Sequence, residues 1–458
     1  IKALGVLAGL RESAGLSPTS KLIAHALVET PTERVKAEAA VRQSLDRLRD
    51  ARIVIHQRFR GSYQLWDGSD LDLDVRLQEA IAETRNSVNL ARRVRRLIEP
   101  RPLMARRHFF ETGTLRYFGV YFKDYSALAG ELVPEANDAD GEIWLLLPSS
   151  TNEADRAAKV LTRPDTWFAS DGNRPLLVVL PENIEAIQTY GRELVALEWI
   201  ERNTPELQGD AVARRELNSR LTEVKGLLRR EIQDVLAGHG QSRWFNGQNQ
   251  HDVKSGADVT RVLSHACDEA YSQAPKVFNE LLNRTQLSSA AAAARRNLCE
   301  AMAERAHLER LGIEGSPPEL SMYRSLLEAH RLHVYRDDTW TLTLRSKAKR
   351  GTVGHALIEL DRYLMERPEA LIELEELYAF FGRPPYGIKA GLMPVLLLAL
   401  VIAKEGEIAL YEDGAFVPKV DGAVIERLLR ARKTFCVQRT PLTGARKRVL
   451  DAYREALG

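Results

Sequence analysis

Two groups of residues have types and spacings that bear directly on chemistry. In the first, Arg92, Arg93, Arg95 and Arg96 precede Arg101, Arg106, Arg107 and His108, and no acid stands between Arg85 and Glu99. A solvated helix interleaves acids with its bases, so this charge is not neutralised locally. Two uses fit it: docking on an acidic neighbour, or contact with a nucleic-acid backbone. Upstream, Lys36, Arg42, Gln43 and Arg47 fall on one expected helix and would face a partner together. The second group lies at 279–298, NELLNRTQLSSAAAAARRNL. Ser288 and Ser289 are helix-capping types, and alanines at 290–294 leave the first turn bare, so a helix, a backbone or an anion can approach its free N–H groups. Asn283 and Arg284 precede that turn and Arg295 and Arg296 follow it. The stretch reads either as a small-residue helix contact, its arginines paired with Glu280 or Glu300, or as a phosphate-contacting, domain-coupling junction.

Other chemistries are less well supported. The carboxylates Glu193, Glu198, Glu206, Asp210 and Glu216 alternate with Arg192, Arg202, Arg214, Arg215 and Arg220, as on a solvated ion-pair face. His251 and Asp252 form an HD pair with His239, His265 and Asp268 nearby, but in an expected polar loop rather than on consecutive helices, so no metal site is assigned. The glycines at 382 and 387 with Lys389 lack the spacing, the following Ser or Thr and the preceding strand of a P-loop. No catalytic residue is assigned.

The elements that must position these groups follow from periodicity. Helices are expected over 3–11, 22–28 and 33–50, the last with an apolar stripe at Val41, Leu45 and Leu48, followed by a hairpin of IVIHQR, a turn at Gly61 and SYQLW. Three helices and a hairpin predict a winged-helix-like module, with Arg58 and Arg60 on the wing. Such modules read DNA, cover ATPase cores or contact proteins. A basic helix over 73–98 leads to strands near 114–122, ending at Pro148 and ending at Pro181. The last two are continuous apolar runs around a helical segment at 152–161, the pattern of a buried, parallel sheet whose ligand side would lie near Ser149, Ser150 and Glu182. Residues 184–237 read as helical and 238–258 as a polar loop. Beyond Pro318 come a helix and two short strands, helices at 356–365 and 371–381, a buried helix at 392–403, a hairpin turning at Asp413 and Gly414, and basic helices at 424–433 and 443–457. The expected fold class is mixed and predominantly α: a winged-helix-like module at 1–72, a basic helix plus small α/β domain at 73–183, a long helical region at 184–335, and a second winged-helix-like module with C-terminal helices at 336–458.

Composition bounds the partners. A chain of 458 residues makes about three domains at ~150 residues each. Its net charge of +2 confines any nucleic-acid surface to a local patch. Cys267, Cys299 and Cys436 stand far apart without a CxxC, arguing against a zinc ribbon or disulfide framework and for a reducing cytosol. The apolar run at 392–403 is shorter than the ~20 residues that span a bilayer. The chain opens on IKALGVLAGL without an initiator Met, as expected of a piece of a longer polypeptide.

Several strings together resemble the C-terminal region of the large P-loop ATPases of bacterial phage-defence islands, of the BREX type: YQLWDGSDLDL at 63–73, RRHFFETGTLRYF at 106–118, NELLNRTQLSSAAAAARRNL at 279–298, LGIEGSPPE at 311–319 and PPYGIKAGLMPVLLLAL at 384–400. The resemblance implies a cytoplasmic, oligomeric ATPase restricting phage DNA with other defence-system proteins. The chain departs from it in carrying no Walker A or B segment, so ATP and Mg would belong to a domain upstream of Ile1, and no cofactor is expected here. The expected role is a non-catalytic, DNA-associated regulatory scaffold whose partners are double-stranded DNA, defence proteins and copies of itself, with no membrane. The alternative is a protein-interaction platform without nucleic-acid contact. A hydrolase hidden in the α/β domain or around His251 is the third reading.

Overall fold

The computed structural model describes residues 1–7, 17–28, 30–51, 53–57, 61–65, 71–84, 90–130, 132–134, 138–167, 174–182, 184–344, 347–440 and 452. Arg58, Arg60 and Arg85, and nearly all of the helix expected at 443–457, lie outside them. The chain is mixed and mainly α. It divides into two compact units, one of residues 1–93 with 185–231, the other of 94–184 with 232–458.

The first unit begins with helical residues 2–7 (α1), α2 (Ser20–Leu27), α3 (Pro31–Asp50) and the antiparallel pair β1 (Val54–Gln57) and β2 (Ser62–Leu65). Thr19 caps α2, its Oγ1 accepting from the Leu22 N–H at 3.1 Å. Leu4, Leu7, Ile23, Leu45, Val54 and Tyr63 close over one another to form the local core. Helices α4 (Leu73–Thr84), the start of α5 (Leu90–Leu97), α8 (Ile184–Asn203) and most of α9 (Ala211–Ala237) complete the unit. The charges along α8 and α9 are not all solvated, as the sequence pattern had suggested. Arg220 is buried, its Nε donating to Glu193 at 3.2 Å and its Nη1 to Asp74 at 2.8 Å, so one guanidinium ties α9 to α8 and α4. Asp74 stands 146 positions before Arg220, far outside the run of alternating charges on α8 and α9, so no local pattern links the two.

The second unit is built on a six-stranded sheet in the order β3-β4-β5-β6-β7-β8. Its strands are β3 (Leu103–Met104), β4 (Tyr117–Lys123), β5 (Gly141–Leu146), β6 (Leu176–Pro181), β7 (Ser242–Asn246) and β8 (Asn249–Val253). β4, β5 and β6 are parallel and the outer pairings antiparallel. Every residue of β5 and β6 is buried, which explains their unbroken apolar runs. The expected loop at 238–258 is instead the β7–β8 hairpin: Trp244 and Phe245 are fully buried, and Gly247, with φ of 56°, makes the two-residue turn. α6 (Arg106–Thr112), α7 (Thr151–Leu161) and α10 (Gly256–Ala270) accompany the sheet.

The rest of this unit is largely helical: α11 (Ser289–Glu304), α12 (Pro318–Tyr323), α13 (Val353–Met365), α14 (Leu374–Phe381), α15 (Met393–Ala403) and α16 (Gly422–Arg430). Two small sheets join them, β9 (His333–Arg336) with β10 (Thr339–Leu342), and β11 (Ile372–Glu373), β14 (Phe435–Arg439), β12 (Ile408–Glu412) and β13 (Ala415–Phe416) in the order β11-β14-β12-β13. Asp413 and Gly414 turn the β12–β13 hairpin with φ of 49° and 80°, as the D-G pair predicts. α15 is the central element. Residues 393–401 are all buried, in contact with α11, α13 and β10. A helix apolar all round must be enclosed on every side, as this one is. Leu397→Ala should therefore lower the unfolding free energy by about 2–5 kcal/mol, measured by denaturant titration with the m-value unchanged.

Candidate functional site

A cluster of buried ionisable groups lies in the second unit, around Arg116. This residue precedes β4 and is 1% exposed. Its Nη1 donates to Asp140 Oδ1 at 3.0 Å, its Nη2 to the Gly387 carbonyl at 3.0 Å, and its Nε to His108 Nε2 at 3.2 Å. The guanidinium carbon stands 3.6 Å from the centre of the Tyr271 ring, a cation–π contact. Gly387, with φ of 54°, permits this approach, because a Cβ there would stand 2.3 Å from Tyr271 Cδ1 and 2.7 Å from both terminal guanidinium nitrogens.

Each partner is held in turn. Asp140, just before β5, also accepts from the Tyr117 N–H at 3.1 Å and, on the same Oδ1 used by Arg116, from Lys389 Nζ at 2.6 Å. The Tyr271 hydroxyl donates to the Asp140 carbonyl at 2.6 Å. Because Arg116 can only donate, His108 accepts at Nε2 and carries its proton on Nδ1, which donates to Asp268 Oδ1 at 2.7 Å. Burial lowers the His108 pKa, with Arg116 adding to the effect against the pull of Asp268. Burial alone would raise Asp268, but the bonds from His108 and Arg107 outweigh it and hold that carboxylate low. Burial also lowers the Lys389 ammonium, Asp140 opposing and Arg116 assisting, and raises the Cys267 thiol to about 12.

Lys389 faces a cleft of about 540 Å³ whose walls include Asp138, Arg174, Thr285, Glu375, Tyr378, Arg383 and Arg432. Arg432 grips Glu375 through two bonds, at 2.9 and 3.3 Å, and stands 4.7 Å from the centre of the Tyr378 ring. The arrangement is a polar recess with cations on several sides. His108 and Asp268 have the contact of a general-base pair, but the second imidazole nitrogen is occupied by Arg116, so the ring has no free lone pair to take a proton.

The chain matches no family model, no curated protein and no solved structure.

The residues singled out in the sequence divide by how they are used. Lys36 and Arg47 are exposed on α3, whereas Arg42 pairs with Glu38 at 2.9 Å. On α5, Arg92, Arg95 and Arg96 are exposed, and Arg93 pairs with Glu198 at 2.6 Å. Arg106 is exposed at the start of α6, while Arg107 bonds to Asp268 and, at 2.6 Å, to Glu111. In the second group, Ser288 caps α11, its Oγ accepting from the Ala291 N–H at 3.3 Å, and Ser289 is exposed. Arg284 pairs with Glu280 at 3.2 Å and Arg296 with Glu300 at 3.5 Å. Arg295 donates to the Ala390 carbonyl at 3.4 Å. Asn283 is buried, its amide spent on the carbonyls of Gly113 and Val277, so it faces no ligand. Gly113 itself could be nothing larger, because a Cβ would meet the Val277 oxygen at 2.2 Å. Ser149 and Ser150 are also structural. Ser150 Oγ accepts from the Glu153 N–H at 3.2 Å, and Glu153 accepts from the Ser149 N–H at 2.8 Å, capping α7. Among the described residues no group of three or more His, Cys, Asp or Glu is placed to hold a metal, and no helix is long and apolar enough to cross a membrane.

Arg116, Asp140, His108 and Lys389 were not singled out as a site. The available signal was a lone charge inside an apolar string, in LRYFGVYF and in GIKAGLMPVLLL. Removing the shared carboxylate leaves two buried cations without an anion, so Asp140→Asn should destabilise the chain by roughly 3–5 kcal/mol, read by thermal and denaturant unfolding. Acid should act through His108. Its pKa is below 6.5 in the fold, so the unfolded chain binds the proton first, and stability falls as pH drops below 6.5 toward the folded-state value. The gap in unfolding free energy between wild type and His108→Gln should therefore narrow on acidification through that window; a gap independent of pH would show that the imidazole is not held neutral.

Proposed function

We propose that this chain is a non-catalytic, DNA-associated and regulatory scaffold region of a multidomain ATPase in bacterial anti-phage defence. It would act in the cytoplasm, as an oligomer, with double-stranded DNA and other defence-system proteins. The observation that carries the DNA part is the face of α5. Arg92, Arg95 and Arg96 fall at i, i+3 and i+4, on one side of the helix, and all three are exposed. A duplex backbone is recognised through such clustered, hydrated cations, which release its counterions on contact. Lys36 and Arg47 on α3 form a second basic surface. The succession of α1, α2, α3 and the β1–β2 hairpin over one small core supports reading residues 1–72 as a winged helix. The ATPase association and the defence role rest on the resemblance of the strings at 63–73, 106–118, 279–298, 311–319 and 384–400. ATP and Mg belong, on this reading, to another part of the polypeptide.

A different observation favours the second reading, an interaction platform without nucleic acid. Phe110 is 76% exposed and Phe278 64%, on segments that meet where Gly113 packs against Val277. Exposed aromatics of this size are characteristic anchors of protein interfaces.

Fluorescence anisotropy on duplex DNA across a salt series separates the two. Wild-type affinity should fall steeply with salt, and the triple variant Arg92→Glu, Arg95→Glu, Arg96→Glu should bind more weakly, with the log–log salt slope reduced by about one for each phosphate no longer neutralised. Absence of binding at low salt, or a slope the variant leaves unchanged, would overturn the DNA reading and leave the platform.

A further inference from the structure

We infer that the free edge of β4 is a docking site for an extended, acidic peptide segment of a partner protein, taken up as an added strand. The two neighbours of β4 cover it unequally. β5 pairs with it from Phe118 to Lys123, whereas β3 pairs only at Tyr117 and Phe118. Two bonds fix the direction in which each residue's backbone groups point. The Leu147 N–H donates to the Lys123 carbonyl at 2.9 Å, across the β5 side, and the Ala105 N–H donates to the Arg116 carbonyl at 3.1 Å, across the β3 side. These directions alternate along a strand, so Gly119, Tyr121 and Lys123 turn their N–H and C=O toward β5, and Val120 and Phe122 turn theirs away from it. Among the described residues no hydrogen bond reaches the backbone groups of Val120 or Phe122 on that side. Such a row of unpaired donors and acceptors is a template for a further strand.

The groove along that edge gives the chemistry of the occupant. A space of about 540 Å³ separates the end of α5 from β4, walled by residues 95–100 and 120–123. Arg95 and Arg96 are exposed on its α5 side, and neither makes a side-chain bond among the described residues. Lys123, on the opposite side, stands 4.6 Å from the centre of the Trp144 ring, and Glu99 is the one carboxylate in the lining. Two uncommitted guanidiniums beside an open strand edge favour an occupant that carries carboxylates, which a planar fork grips through two bonds. A duplex could meet the arginines, but it has no alternating N–H and C=O with which to fill the edge. An extended peptide does both, its main chain pairing with Val120 and Phe122 and its alternate side chains reaching the arginines. Arg95 and Arg96 are also among the cations offered to DNA above; the strand edge is not, so this inference goes beyond that reading and is tested without DNA.

Fluorescence polarisation of labelled short peptides with the whole chain tests it. The probes are a peptide alternating valine with glutamate, one alternating valine with lysine, and the glutamate peptide methylated on its backbone nitrogens. The glutamate peptide should bind saturably, and more weakly as salt rises; the other two should not bind. Methylation keeps the charge and removes the donors, so it separates strand pairing from attraction between charges. Arg95→Ala combined with Arg96→Ala, both exposed changes, should weaken the glutamate peptide about tenfold, the worth of one charge-assisted hydrogen bond. Val120→Pro removes an edge N–H and should weaken it as well. Proline is tolerated on edge strands; should that variant not fold, the methylated peptide still decides. Equal binding of the methylated or the lysine peptide, no binding of the glutamate peptide at millimolar concentration, or full affinity in the double arginine variant would each overturn the inference.

Discussion

The second unit depends on one buried guanidinium being satisfied in three directions at once. Arg116 reaches Asp140 beside the sheet, His108 on α6 and the Gly387 carbonyl beyond α14, and it lies against Tyr271 at the end of α10. A charge so deep costs several kcal/mol of desolvation, recovered only when the geometry of every partner is right. The network therefore does more to fix the mutual placement of these elements than to add net stability. Apolar packing around α15 supplies the cohesion, and it tolerates sliding in a way that a bonded fork does not.

Much of the architecture was legible in the sequence because it rests on short-range pattern. The parallel strands β5 and β6 appear as unbroken apolar runs, α15 as a helix apolar on all sides, and the β12–β13 turn as an Asp-Gly pair. The β7–β8 hairpin was not legible in the same way. Its polar stretch from Gln248 to Asp252 outweighs the adjacent Trp244 and Phe245, and only the Asn246-Gly247 step carried the turn signal. The Arg116 network was invisible for a different reason. Lys389 and Asp140 are separated by 249 positions, Arg116 and Gly387 by 271, and a single sequence contains no term linking them. Gly382, Gly387 and Lys389 lack the spacing of a P-loop, yet the same lysine, buried without a local acid, marks the place where a distant carboxylate had to arrive.

The same distance effect sorts the arginines. A count of local acids treats Arg92, Arg93, Arg95 and Arg96 as one patch, but Arg93 has a partner 105 residues away in Glu198, and Arg107 has one 161 residues away in Asp268. A cation gripped by a carboxylate cannot take on a phosphate without first breaking that pair, whereas an exposed guanidinium exchanges a mobile counterion for it at little cost. Charge that matters for binding is thus the part the fold has left uncommitted. On the α5 surface that part includes Arg95 and Arg96, both exposed to water.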